Sequence, residues 1–130
     1  MMMTEKELFI EKLKKRTKNF AVAIINFCNS LKTVKASTVI TYQLVKSATS
    51  TGANYRSACR ARSKAEFYNK ICIVVEEADK SEYWLEIIDE ANLTDDKEAL
   101  IILKNEANEI TKIMTKAKNT AYESKLSKEI

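Results

Sequence analysis

The chain has no proline, no histidine and a single glycine, Gly52, among its 130 residues. Sheet-rich folds reverse direction through tight turns that draw on Gly and Pro. Their scarcity, beside abundant Ala, Lys, Glu, Ile and Leu, predicts long helices joined by few links. The absence of histidine removes the usual general base near neutral pH and the commonest metal ligand. Cysteine is also sparse. Cys28, Cys59 and Cys72 are widely spaced with no Cys-x-x-Cys pair, which excludes the ordinary zinc patterns. They read as small buried hydrophobes in a reducing compartment. No apolar run approaches the ~20 residues needed to span a bilayer. The best candidate, Phe20 to Cys28, contains Asn26 and reads as a buried helix segment. The first ten residues carry Glu5, Lys6 and Glu7 and have no apolar signal core. The expectation is a cytoplasmic protein with no membrane role.

What is present fits one domain over residues 1–130, long enough to bury a core without disulfides or metal. A first helix is predicted from Thr4, a good N-cap, to Leu31. Phe9, Leu13, Phe20, Ile24, Phe27 and Leu31 recur along one face. Arg16 interrupts that stripe, with a stem that packs and a head that reaches solvent. A second helix is predicted over Thr38 to Ala61, capped by Ser37. Ser63 with Glu66 fits a capping box for a third, ending near Glu90, whose stripe is Phe67, Ile71, Val74, Ala78, Leu85 and Ile88, with Ser81 between. Asp95 with Glu98 offers a second box for a fourth helix over Asp96 to Tyr122. There Leu100, Leu103, Ala107, Ile110, Met114, Ala117 and Ala121 alternate three and four apart. The tail, residues 123–130, is expected to fray. The fold class is therefore all-α, an antiparallel up-and-down four-helix bundle.

The net charge of +4 is unevenly spread. Residues 1–35 carry +5 and residues 36–62 carry +4, whereas residues 63–93 carry −5. Such segments either face each other or leave a basic half to face a polyanion. The basic side chains cluster as Lys12, Lys14, Lys15, Arg16 and Lys18, and as Arg56, Arg60 and Arg62. Clustered Lys and Arg neutralise phosphates without reading bases. They equally serve as solubilising charge. Tyr42, Tyr55 and Tyr68 either stack on bases or pack a core edge.

Gln43, Ser47, Ser50 and Asn54 share one face of the second helix. Glu66, Lys70, Glu77 and Ser81 cluster on the third, with Ile73 and Trp84 among them. The two stripes read as a polar network inside the bundle, a solvated face, or a subunit interface or ligand site. No catalytic residue, metal site or cofactor is assigned. Glu-x-x-His pairs of the di-iron type are missing, and a lone Gly52 cannot build a phosphate-cradling loop.

Three stretches resemble a known family. They are Gln43 through Arg56, then Ser63 through Phe67 with Lys70, and then Glu77-Ala78-Asp79-Lys80-Ser81-Glu82-Tyr83-Trp84-Leu85. Together they resemble the four-helix-bundle proteins encoded in intervening sequences of bacterial 23S ribosomal RNA genes, where the last stretch tends to read Glu-Ala-x-Glu-Thr-x-x-Trp-Leu. Ser57 and Lys80 depart from the family pattern, each replacing a Glu. The resemblance implies an antiparallel bundle assembled as a ring-like homopentamer. It also implies kinship with the accessory variability proteins of diversity-generating retroelements, which work with a reverse transcriptase and nucleic acid.

Two functional readings stand. One is a non-enzymatic oligomeric accessory protein that binds RNA or DNA through basic surfaces. The other is a protein-interaction or structural module with no nucleic-acid role. Surplus apolar residues outside the core stripes, Ala21, Val22, Ile25 and Cys28 on the first helix and Cys72, Val75, Tyr83 and Ile87 on the third, lead us to expect a homo-oligomer. Its subunits are expected to meet partly through the third helix, Asn54 and Glu77.

Overall fold

The computed structural model describes residues 2–129, with the backbone alone at residues 125 and 127–129. Four helices follow one another: α1 (Glu5–Phe27), α2 (Lys35–Cys59), α3 (Lys64–Glu90) and α4 (Lys97–Glu129). A 3-10 turn, Cys28–Ser30, ends the first. Each helix packs on the next and α4 returns beside α1, which gives the expected antiparallel bundle. The contacts are densest for α2 with α3 and α3 with α4, and sparsest for α1 with α4. None of the described helices is long and apolar enough to cross a membrane.

The heptad pattern places the core. Ile71, Val74, Ala78, Leu85 and Ile88 of α3 are fully buried, as are Ala107 and Met114 of α4. Ile24 of α1 and Leu44 and Ala48 of α2 face them. Phe9, expected in the α1 stripe, is 55 % exposed instead. Gly52 lies against Thr17 and Cys28 bonds Thr41. In that antiparallel register α2 ends level with Ile10, so Phe9 overhangs its partner. Thr17, rather than Arg16, completes the buried stripe, its hydroxyl donating to the carbonyls of Leu13 (2.9 Å) and Lys14 (3.1 Å).

The caps depart from the sequence expectation in two places. Helix α2 begins at Lys35, and Ser37 sits inside its first turn with its hydroxyl donating to the Lys32 carbonyl, so Ser37 is not the N-cap. For α4 the cap is Asp96, not Asp95: its carboxylate accepts from the Ala99 N–H at 3.2 Å. Asp95 points outward, 3.7 Å from Lys32. Ser63 caps α3 as expected, accepting from the Glu66 N–H at 3.1 Å. The Glu66 carboxylate turns to Arg62 instead of back to Ser63, so only half of the box forms. Helix α4 continues past the expected end at Tyr122.

Asn92 closes α3 at φ 54°. The Leu93 N–H bonds the Ile88 carbonyl (2.9 Å) and the Asn92 N–H bonds that of Asp89 (3.1 Å). This is a Schellman cap with Asn in the left-handed position. Leu93 is thereby buried, and its carbonyl accepts from the Lys32 N–H at 2.7 Å. Ser30 and the buried Thr94 join their hydroxyls at 2.9 Å. These contacts clasp the α1–α2 link to the α3–α4 link at one end of the bundle.

Candidate nucleic-acid interface

Residues three or four apart on a helix share a flank. On α1 that rule aligns Lys14, Lys15 and Lys18 beside α2, and on α2 it stacks Arg56 over Arg60. The two sets converge on one groove of about 690 Å³ between the helices. Gly52 forms part of its floor. A Cβ at Gly52 would sit 3.4 Å from the backbone carbon, carbonyl oxygen and hydroxyl of Thr17. A methyl would just fit at that distance and a larger side chain would not, so a small residue at position 52 suits the close approach of the two helices.

Five of the eight basic residues singled out in the sequence therefore meet in one place. Glu11 is the one carboxylate in the lining, and it is engaged by Lys14 at 3.0 Å. Lys15, Lys18, Arg56 and Arg60 make no ion pair among the described residues. Four uncompensated cations on facing helices make a concentrated positive strip.

The other three basic candidates lie elsewhere. Lys12 is exposed, outside the groove lining. Arg62 lies past the end of α2, 3.9 Å from Glu66. Arg16 turns to α4, where Nε donates to Glu106 Oε2 (2.8 Å) and Nη2 to Oε1 (2.6 Å). Those bonds raise its pKa further. Its side chain stays 38 % exposed, as expected of a head that reaches solvent, but Glu106 holds the guanidinium.

Tyr55 lies outside the groove lining, almost completely buried and hydrogen-bonded to Cys59 one turn on. Burial pushes the Tyr55 phenol upward, and the Cys59 contact and Glu11 add to it. Burial likewise raises the Cys59 thiol, against the lowering influence of Tyr55 and Lys14. Tyr55 is thus a core residue, unable to stack on a base. Tyr42 is exposed, with Lys46 Nζ 5.9 Å from its ring centre. Tyr68 packs on Tyr122 at 5.7 Å between centroids.

The polar stripes meet at one point. Ser47 and Ser81, both buried, lie 2.9 Å apart across α2 and α3. Ser47 donates to the Leu44 carbonyl (3.1 Å), so Ser81 supplies the proton between the hydroxyls. The Glu77 carbonyl lies 2.9 Å from the Ser81 oxygen as well. That register sets Gln43 level with Leu85, next to Trp84, and Ser50 level with Ala78, next to Glu77. The remaining members stay within their own helices. Asn54 donates to the Ser50 carbonyl at 2.9 Å, and Glu77 pairs with Lys80 at 3.2 Å. Gln43, Ser50, Asn54, Lys70, Glu77 and Trp84 are half-buried along the seam. Lys80, where the family pattern has Glu, thus supplies the cation that Glu77 pairs with.

Among the described residues no group of three or more His, Cys, Asp or Glu converges as a metal site. No buried side-chain polar atom among them lacks a partner. Thr17, Gly52 and Glu106 are the structural residues that sequence reasoning missed. Thr17 could have been found, since it continues the Leu13 spacing. The pairing of Arg16 with Glu106, 90 positions apart, left no local signal.

The model of the 23S rRNA-intervening sequence protein family matches residues 11–116. A crystal structure from Bacteroides thetaiotaomicron VPI-5482, described as a protein with unknown function from the S23 ribosomal protein family, is 36 % identical. The similarity covers 82 % of this chain and 97 % of that one, with a TM-score of 0.71. Among curated proteins no sequence matches.

Proposed function

The chain belongs to the 23S rRNA-intervening sequence protein family, and from that premise we propose that it is a non-enzymatic, oligomeric nucleic-acid-binding accessory protein. The observation that carries this reading is the convergence of Lys14, Lys15, Lys18, Arg56 and Arg60 on one groove. Phosphates along an RNA or DNA backbone are the ligands that a strip of unpaired cations recognises. The groove offers no base-reading pattern, so binding is sequence-tolerant.

Assembly supports the reading through avidity. Val22 and Ile25 on α1, Tyr83 on α3, and Ile101 and Ile102 on α4 are each about half exposed or more in the single chain. A ring of copies covers such surface and repeats the basic groove around its circumference. A pentamer is the expected size.

The test is fluorescence anisotropy with single- and double-stranded RNA and DNA at several salt concentrations. A variant carrying Lys15→Ala, Lys18→Ala, Arg56→Ala and Arg60→Ala should bind more weakly. Each phosphate contact it loses should flatten the log–log salt slope by about 0.9 on a duplex and about 0.7 on a single strand. No binding by the wild type at low salt sinks the proposal. Sedimentation equilibrium tests assembly separately, and a monomer at high concentration defeats that part.

The exposed apolar residues also favour a second reading, a protein-interaction module indifferent to nucleic acid. A protein partner captured from the native host and retained after nuclease treatment supports it, if the anisotropy is flat.

A further inference from the structure

At the end of the bundle opposite the clasp, α1 overhangs the α2–α3 link and the second half of α4 passes beside them. The three enclose a second cleft of about 860 Å³, a size typical of small-molecule sites. Its walls are largely apolar, with the buried Tyr55 and the hydroxyls of Ser63, Thr120 and Ser124 among them. Leu13 and Ala121 are buried, while Ile10, Phe67, Ile113 and Ala117 are half-buried and Phe9 forms an exposed edge. The charged residues in the lining, Lys6, Arg62, Lys64 and Lys116, are all exposed and all basic. Among the described residues no carboxylate lines the cleft. Glu66 lies 3.9 Å from Arg62 Nε.

An apolar interior with cations only at its mouth selects a molecule with an apolar body and an anionic head. A polynucleotide would leave the apolar walls unused, and a neutral hydrocarbon would leave the cations unused. We propose that this cleft binds a straight-chain alkyl carboxylate, with the tail against Ile10, Phe67 and Ile113 and the head at Arg62 and Lys116. Burying the tail removes apolar surface of both partners from water. The head remains near solvent, where the guanidinium and ammonium groups meet it without a large desolvation cost. The site is separate from the groove between α1 and α2 and does not rest on nucleic-acid binding.

The test is isothermal titration of the full chain with octanoate, decanoate and dodecanoate below their micellar concentrations, beside 1-dodecanol. Affinity should rise by up to about fourfold per added methylene. Dodecanol should bind at least about tenfold more weakly than dodecanoate, the loss of a charge-assisted bond. The variant Arg62→Gln with Lys116→Gln alters exposed positions and should keep the fold while lowering dodecanoate affinity alone. Ala117→Phe fills the cleft and should abolish uptake of both, with circular dichroism confirming its helices. The four-residue groove variant should bind dodecanoate as the wild type does. No uptake by the wild type, no dependence on chain length, equal binding of dodecanol, or indifference to the Arg62/Lys116 variant each overturns the proposal. So does a cleft occupied by a second copy, seen as no uptake together with a fall in sedimentation coefficient on Ala117→Phe.

Discussion

Arg16 and Glu106 close a two-bond fork between α1 and α4, the most sparsely packed pair of neighbouring helices in the bundle. The Arg16 side chain is 38 % exposed and that of Glu106 28 %, so solvent screens the pair in part. Its planar geometry still favours it over an ordinary surface bridge. A double-mutant cycle on Arg16→Met and Glu106→Gln should give a coupling of about 1 kcal/mol, shrinking with added salt. Arg16→Lys should recover less than half, because an ammonium cannot make both bonds. A coupling indistinguishable from zero would mean that apolar contacts alone hold α1 in place.

Ser47 and Ser81 form a buried hydroxyl couple across the α2–α3 seam. Removing one hydroxyl takes away a bond but leaves the other satisfied through its own helix carbonyl. Each single change to Ala should cost about 1 kcal/mol. The double change should cost less than the two together, since buried apolar pairs of similar shape are well tolerated. Urea melts of the three variants decide it. Additive losses would show that the hydroxyls act independently.

Gly52 lies in the interior of α2, where glycine is weaker than alanine by about 0.5–1 kcal/mol. The added methyl of Gly52→Ala meets Thr17 at ordinary contact distance. The variant should therefore be as stable as the wild type or more so, by up to that amount, in thermal melts. Gly52→Val should be destabilised, because its further methyl groups push against the α1 backbone. Stability of Gly52→Val equal to wild type would refute the close approach of the two helices.

Three groups link stability to alkaline pH. Burial raises the Cys28 and Cys59 thiols above their ordinary value of 9.0 and the Tyr55 phenol above 10.0. The folded chain therefore holds these protons more tightly than the unfolded chain. Their contribution is fully present below about pH 8 and is lost as pH rises past the unfolded values. Urea midpoints should stay level between pH 7 and pH 8 and fall between pH 9 and pH 11. Tyr55→Phe with Cys28→Ala and Cys59→Ala should flatten that fall. Equal slopes in both proteins would assign the alkaline loss to other groups.

The four helices, their order and most of the core stripes were legible in the sequence. Heptad spacing is local and each stripe must bury itself somewhere, so Ile71, Val74, Leu100 and Ile110 could be named as core without any knowledge of their neighbours. The Ser63 cap was legible for the same reason, since its bond spans three residues. Family membership was legible too, through the runs Gln43 to Arg56 and Glu77 to Leu85. Only the tertiary structure could decide which way each charged flank turns. Lys15 and Arg16 are adjacent in the chain and equally basic. One faces an open groove and the other a carboxylate 90 positions away. Consecutive residues on a helix diverge by about 100°. The rotation of α1 about its axis therefore sorts its cations, and packing of Phe20 and Ile24 into the shared core sets that rotation. Composition determined that the first half of the chain is basic. Packing decided that Lys14, Lys15, Lys18, Arg56 and Arg60 become one surface, because α1 and α2 lie side by side across the small residue at position 52.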